Sequence, residues 1–150
     1  MTTASDDDKQ LKIEAIYQRS RASFPDVPEL TIDELRSLQS KEKVVLVDVR
    51  TPTEQVVSMI PGAITASDFQ DNQHLYKDAT IVAYCTVGGR SGAFAKDLHA
   101  AGRKVFNLKG AILAWTHAGG DLIDAEGSTR RVHVHGRKLS LVATGYEPIW

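Results

Sequence analysis

The sequence predicts an α/β fold, an open, mostly parallel sheet with helices on both faces. Residues 44–49, 81–84 and 105–108 are short runs dominated by Val, Ile, Leu and aromatic side chains. They are too apolar for strands with one wet face and suit strands covered on both sides. Helical patterns lie between these runs, and strands alternating with helices form right-handed parallel crossovers. With 42% hydrophobic and 25% charged residues in a chain of 150, the composition is that of one ordinary globular domain with a sizeable core.

Charge and cysteine usage exclude several function classes. Eighteen Lys and Arg against nineteen Asp and Glu leave a net charge of −1, which argues against a general affinity for nucleic acid or membrane. No apolar stretch approaches the ~20 residues of a bilayer span. The N-terminus shows neither the basic nor the apolar part of a secretory leader. Cys85 is the single cysteine, so an internal disulfide and an internal resolving thiol are both excluded, and a cytoplasmic, reducing setting is expected.

In chain order, residues 1–28 read as a helical extension and linker. After a polar, acidic start, Asp6, Asp7 and Asp8 favour a helix N-terminus, and Leu11, Ala15, Ile16 and Arg19 fall near one face. Phe24-Pro25 and Val27-Pro28 break that pattern. Thr31-Ile32-Asp33-Glu34 is a capping box, with Leu30 and Leu35 placed as a hydrophobic staple, and the helix runs to about Gln39. The strand at 44–49 follows, then a short helix from Thr51-Pro52 to about Val57. Ile60-Pro61-Gly62-Ala63-Ile64 is a turn into a short strand. Residues 67–79 are polar, with about one helical turn. The strand at 81–84 leads through a loop into a helix at 92–101, which faces the core through Phe94, Ala95, Leu98 and Ala101 and stops at Gly102. A strand at 105–108 and a helix at 111–118, with Ile112 and Trp115 inward, complete the pattern. Residues 126–150 read as an extension forming a β-hairpin. One strand alternates Val132 and Val134 with His133 and His135, Gly136-Arg137 turns, and 138–143 returns. This hairpin is expected to support the fold and not the chemistry.

The chemistry concentrates in residues 81–91, Ile-Val-Ala-Tyr-Cys-Thr-Val-Gly-Gly-Arg-Ser. A loop leaving a strand and entering a helix N-terminus turns backbone N–H groups inward, and those donors with the helix dipole favour an anion. Cys85 at its mouth is the candidate nucleophile, since both features stabilise a thiolate. Thr86, Val87, Gly88, Gly89, Arg90 and Ser91 form the candidate cradle. Gly88 and Gly89 permit the tight curl, and the Arg90 guanidinium adds a rigid positive charge. Asp48, Arg50 and Glu54 read as structural support, with Arg50 pairing with Glu54 to brace a strand end. His133 and His135 share a strand face, but two histidines without carboxylate or thiolate company make a poor metal site, so neither metal nor cofactor is expected. His74, His99 and His117 read as surface residues.

These motifs resemble those of the single-domain rhodaneses, a family of sulfurtransferases. Over residues 29–125 the chain is similar to the family at Asp48-Val49-Arg50 with Glu54, at Ile60-Pro61-Gly62-Ala63, at Tyr84-Cys85-Thr86-Val87-Gly88-Gly89-Arg90-Ser91 and at Leu108-Lys109-Gly110-Ala111 with Trp115 and Gly119. The resemblance implies a rhodanese-like sheet of five strands. It also implies that Cys85 carries a persulfide between a sulfur donor such as thiosulfate and an acceptor, cyanide in an assay and a thiol or protein in the cell. Two departures stand out. Ser58-Met59 replace the family's usual Gly-His, and Ala111 replaces a second glycine. Two rival classes are a phosphatase or arsenate reductase and a non-catalytic persulfide carrier or partner-binding module. The first normally has Cys-x5-Arg, whereas Cys85 and Arg90 give Cys-x4-Arg, a cradle one residue smaller.

Overall fold

A computed structural model describes residues 4–150. Residues 1–3, part of the polar start of the N-terminal extension, lie outside the described residues. The elements follow in order: α1 (Asp6–Arg21), β1 (Glu29–Leu30), α2 (Ile32–Gln39), β2 (Val44–Asp48), α3 (Pro52–Val57), β3 (Ile64–Thr65), α4 (Ala66–Asp71), β4 (Thr80–Tyr84), α5 (Gly89–Ala100), β5 (Val105–Leu108), α6 (Ala111–His117), then the short strands β6 (Leu122–Asp124), β7 (Gly127–Thr129), β8 (Arg131–His133) and β9 (Glu147–Ile149). Five strands form one all-parallel sheet in the order β1-β5-β4-β2-β3.

The apolar runs are continuous because both sheet faces are covered. Leu46, Val82 and Leu108 pack with α1, α2 and α6 through Ile13, Leu35, Ile112 and Leu113. Val45, Val47, Ile81 and Val105 pack on the other face with Phe24, Phe69 and Ala95. Successive strand residues point to opposite faces, so an unbroken apolar run feeds two cores. The Thr31/Glu34 capping box forms as expected, and a second one, Thr51/Glu54, starts α3 with Pro52 at its first turn.

Two local expectations change. The buried face of α1 is Ile13 and Tyr17, while Leu11 is exposed. The helix is polar nearly all round, and the features it packs on, described below, select the face. In the C-terminal extension, β8 lies where the Val/His alternation places it, but 138–143 is not its partner. Those residues form a short 3-10 turn (Arg137–Leu139) and a coil that buries Leu141, Val142 and Ala143. The partner of β8 is β9, and the pair is parallel. A run of apolar residues entering a core edge-on needs no ladder, so alternation alone could not identify the pairing. The antiparallel hairpin lies earlier, at β6 and β7.

The two extensions meet. Asp6 of α1 accepts from the Thr144 N–H (3.0 Å) and hydroxyl (2.9 Å), and Lys9 Nζ donates to the Val142 carbonyl (3.0 Å). No helix among the described residues is long and apolar enough to cross a membrane.

Candidate active site

Cys85 immediately follows β4, at the carboxyl end of the sheet, where open α/β sheets place ligands. Its side chain is buried, with 2% of its surface exposed. The chain curls over Gly88, whose φ of +133° only glycine adopts readily, and α5 begins at the next residue. Tyr17 of α1 seals this turn, since a Cβ on Gly88 would lie 2.7 Å from its ring. Gly92 holds Phe24 in the same way, with an added Cβ 2.0 Å from that ring. These two glycines select the buried face of α1 and the position of the linker.

Two groups come within reach of Cys85 Sγ: the Gly88 N–H, which donates to it at 3.2 Å, and the Ser91 hydroxyl oxygen at 3.4 Å. The loop is held from behind by α6, whose Ile112 and Leu113 N–H groups donate to the carbonyls of Cys85 and Thr86, each at 3.2 Å. The N-terminus of α6 has no side-chain cap, so these carbonyls satisfy donors that would otherwise be orphaned. The geometry requires left-handed backbone at Gly110 (φ +75°) and Ala111 (φ +49°). Ala111 thus occupies a conformation that favours glycine, which is the physical content of that departure from the family pattern.

Arg90 and Glu54 form the second part of the site. Arg90 Nη1 and Nη2 donate to the two Glu54 oxygens at 2.7 and 2.9 Å, and Nη2 also reaches Thr86 Oγ1 at 3.0 Å. Burial opposes ionisation of Glu54, but the Arg90 bonds and the Thr51 N–H outweigh it and hold the carboxyl at about 2. The expected Arg50–Glu54 pair is therefore replaced. Arg50 pairs instead with Asp48, with Nη2 at 2.8 Å from Oδ2, and donates to the Ser58 carbonyl at 2.6 Å. Both members of this pair are fully buried at the end of β2.

The loop residues thus divide. Gly88 and Ser91 meet the sulfur, Thr86 joins Arg90 and Glu54, Val87 turns into the core, and Gly89 lies against Ser20. Sequence reasoning missed four neighbours. Asn107 on β5 bonds Ser91 and Gly88, and Tyr17 covers Gly88. Ser58 donates its hydroxyl to the Arg131 carbonyl at 2.6 Å, and His135, at φ +72°, brings Nδ1 to 3.8 Å from Glu54. One signal was available for Asn107, a lone amide inside an apolar strand, which needs partners. Another was the Ser58-Met59 departure. Both residues receive the C-terminal part of the chain, Ser58 through Arg131 and Met59 through paired backbone bonds with Ile123. His117 is half-buried rather than on the surface, with Nε2 2.8 Å from the Leu141 carbonyl.

A sulfurtransferase of Allochromatium vinosum is 37% identical over 99 residues, covering 60% of this chain and 88% of that protein. The crystal structure of a thiosulfate sulfurtransferase from Pseudomonas aeruginosa superposes with a TM-score of 0.61 at 25% identity, covering 75% of this chain but only 23% of that one. A Rhodopseudomonas palustris structure, described as a protein of unknown function and possible tyrosine phosphatase, superposes with a TM-score of 0.56 at 28% identity, over 72% of this chain and 91% of that one. The model of the rhodanese-like domain matches residues 31–118. With the five-stranded parallel sheet and the cysteine at its carboxyl end, that match establishes that the chain belongs to the rhodanese-like domain family.

Proposed function

We propose that this chain moves sulfane sulfur through a persulfide on Cys85. The observation that carries the reading is the single thiol seated beneath a backbone N–H and a hydroxyl at the start of α5. In the first half-reaction the Cys85 thiolate attacks the outer sulfur of thiosulfate. The new S–S bond forms as the S–S bond of thiosulfate breaks, and sulfite leaves with the bonding pair. In the second, a nucleophile such as cyanide attacks the terminal sulfur, thiocyanate departs and the thiolate returns. This is a two-step covalent mechanism with ping-pong kinetics. The Gly88 N–H and Ser91 hydroxyl would hold the anionic sulfur, as an oxyanion hole holds oxygen. In the cell the acceptor would be a thiol or a protein.

The Arg90 charge is matched by Glu54, so attraction of a dianionic donor is not the basis of this reading. Thiosulfate is the assay donor, and a less charged persulfide donor suits the site equally. The phosphatase reading gains weight from the description of the R. palustris neighbour, but Cys85 and Arg90 are one residue too close for that cradle, and Arg90 faces a carboxylate.

Intact mass tests the proposal. Thiosulfate should add one sulfur, about 32 Da, to Cys85, and cyanide should remove it. Cys85→Ser should abolish both loading and turnover. Full turnover in that variant, or robust p-nitrophenyl phosphate hydrolysis lost in it, would reverse the assignment.

A further inference from the structure

We propose that Asn107 is a positioning residue for the reacting sulfur, because it decides which way the hydroxyl proton of Ser91 points. The inference rests on the assignment of Cys85 as the sulfur carrier.

Asn107 stands in β5 opposite Ala83, two residues before the cysteine, and is fully buried. Its Nδ2–H donates to the Gly88 carbonyl at 2.9 Å, which fixes the orientation of the amide. Its Oδ1 then faces Ser91 and accepts the hydroxyl proton at 2.7 Å. The same Ser91 oxygen lies 3.4 Å from Cys85 Sγ. A hydroxyl has one proton to donate. While Asn107 holds it, Ser91 turns a lone pair toward the sulfur, an arrangement suited to a protonated thiol that donates. A thiolate, or the terminal sulfur of a persulfide, needs the O–H turned toward it. Asn107 and the anionic sulfur therefore compete for one proton between buried groups. Asn107 touches both groups that touch the sulfur, Ser91 through its oxygen and Gly88 through its nitrogen. It lies outside the cysteine loop, and its neighbours in the strand, Phe106 and Leu108, are apolar.

The test follows the ionisation of Cys85, the only thiol, by thiolate absorbance against pH in the full chain without any sulfur donor. Asn107→Ala releases the Ser91 proton to the thiolate, so the titration midpoint falls by about one pH unit, the effect of one hydrogen bond to a charged acceptor. Ser91→Ala removes the donor and raises the midpoint by about as much. In the double variant the fall caused by Asn107→Ala disappears. An unmoved midpoint in folded Asn107→Ala, or a fall that persists without Ser91, overturns the proposal. Should Asn107→Ala fail to fold, Asn107→Leu, which keeps the branched shape and removes the acceptor, takes its place, and an unmoved midpoint there overturns the proposal. Sulfur loading by mass is measured in parallel on the unaltered chain. Failure of loading removes the transfer reading and leaves the ionisation result standing.

Discussion

Arg90 has both terminal nitrogens on Glu54, and this changes what its removal should do. The expectation from sequence was a cation for the donor. The structure makes it first the partner of a buried carboxylate. Arg90→Ala strands that carboxylate, and we expect a stability loss of about 1.5–3 kcal/mol at neutral pH, measured by urea unfolding. The sign with pH follows from Glu54. Its folded value of about 2 lies below the unfolded value of ~4.3, so the pair stabilises fully above ~4.3 and the contribution is lost as pH falls toward 2. The stability difference between the two proteins should therefore shrink over that window. A difference that does not change with pH would mean that the ionised Glu54 carboxylate is not what Arg90 stabilises. At this scale the cysteine and its glycines were legible, because a strand, a thiol and a curled loop are contiguous in sequence. The partner of Glu54 and the role of Asn107 were not, because each depends on which strand end lies beside which loop.

The helices were legible as elements and less so as faces. Capping chemistry located the start of α2, since the cap is a local bond between residues three apart, and Thr51-Pro52 marked the start of α3, where the structure adds a second capping box. The buried face of α1 was missed because only Ile13 and Tyr17 are fully packed along sixteen residues, too few to impose a periodicity. What selects them is the absence of a side chain on Gly88 and Gly110 across the interface, as the absence of one on Gly92 makes room for Phe24 of the linker. Gly92→Ala should therefore force Phe24 from its site and cost about 1–3 kcal/mol, although alanine is the better helix former. A thermal melt equal to or above that of the parent would show that the linker yields without strain.

For the molecule as a whole, the parallel sheet was legible from continuous apolar runs, and the closing segments were misread in detail. Val132, Val134, Leu141, Val142 and Ala143 belong to the buried set. At ~1.5–3 kcal/mol for each large side chain, their sum approaches the entire stability of an ordinary domain. Deleting residues 128–150 should lower the melting temperature sharply or make the protein insoluble, while any folded fraction still takes up sulfur on Cys85. Equal stability with loading abolished would place the tail in the chemistry, through His135 beside Glu54.

The contact between Asp6 and Thr144 joins residues at opposite ends of the sequence, and Lys9 with Val142 repeats the link one turn on. Such a clasp makes the two ends a single opening unit. A protease cut within α1 should release the amide of Ala143 to solvent exchange, although that amide is bonded to Thr116 and not to α1.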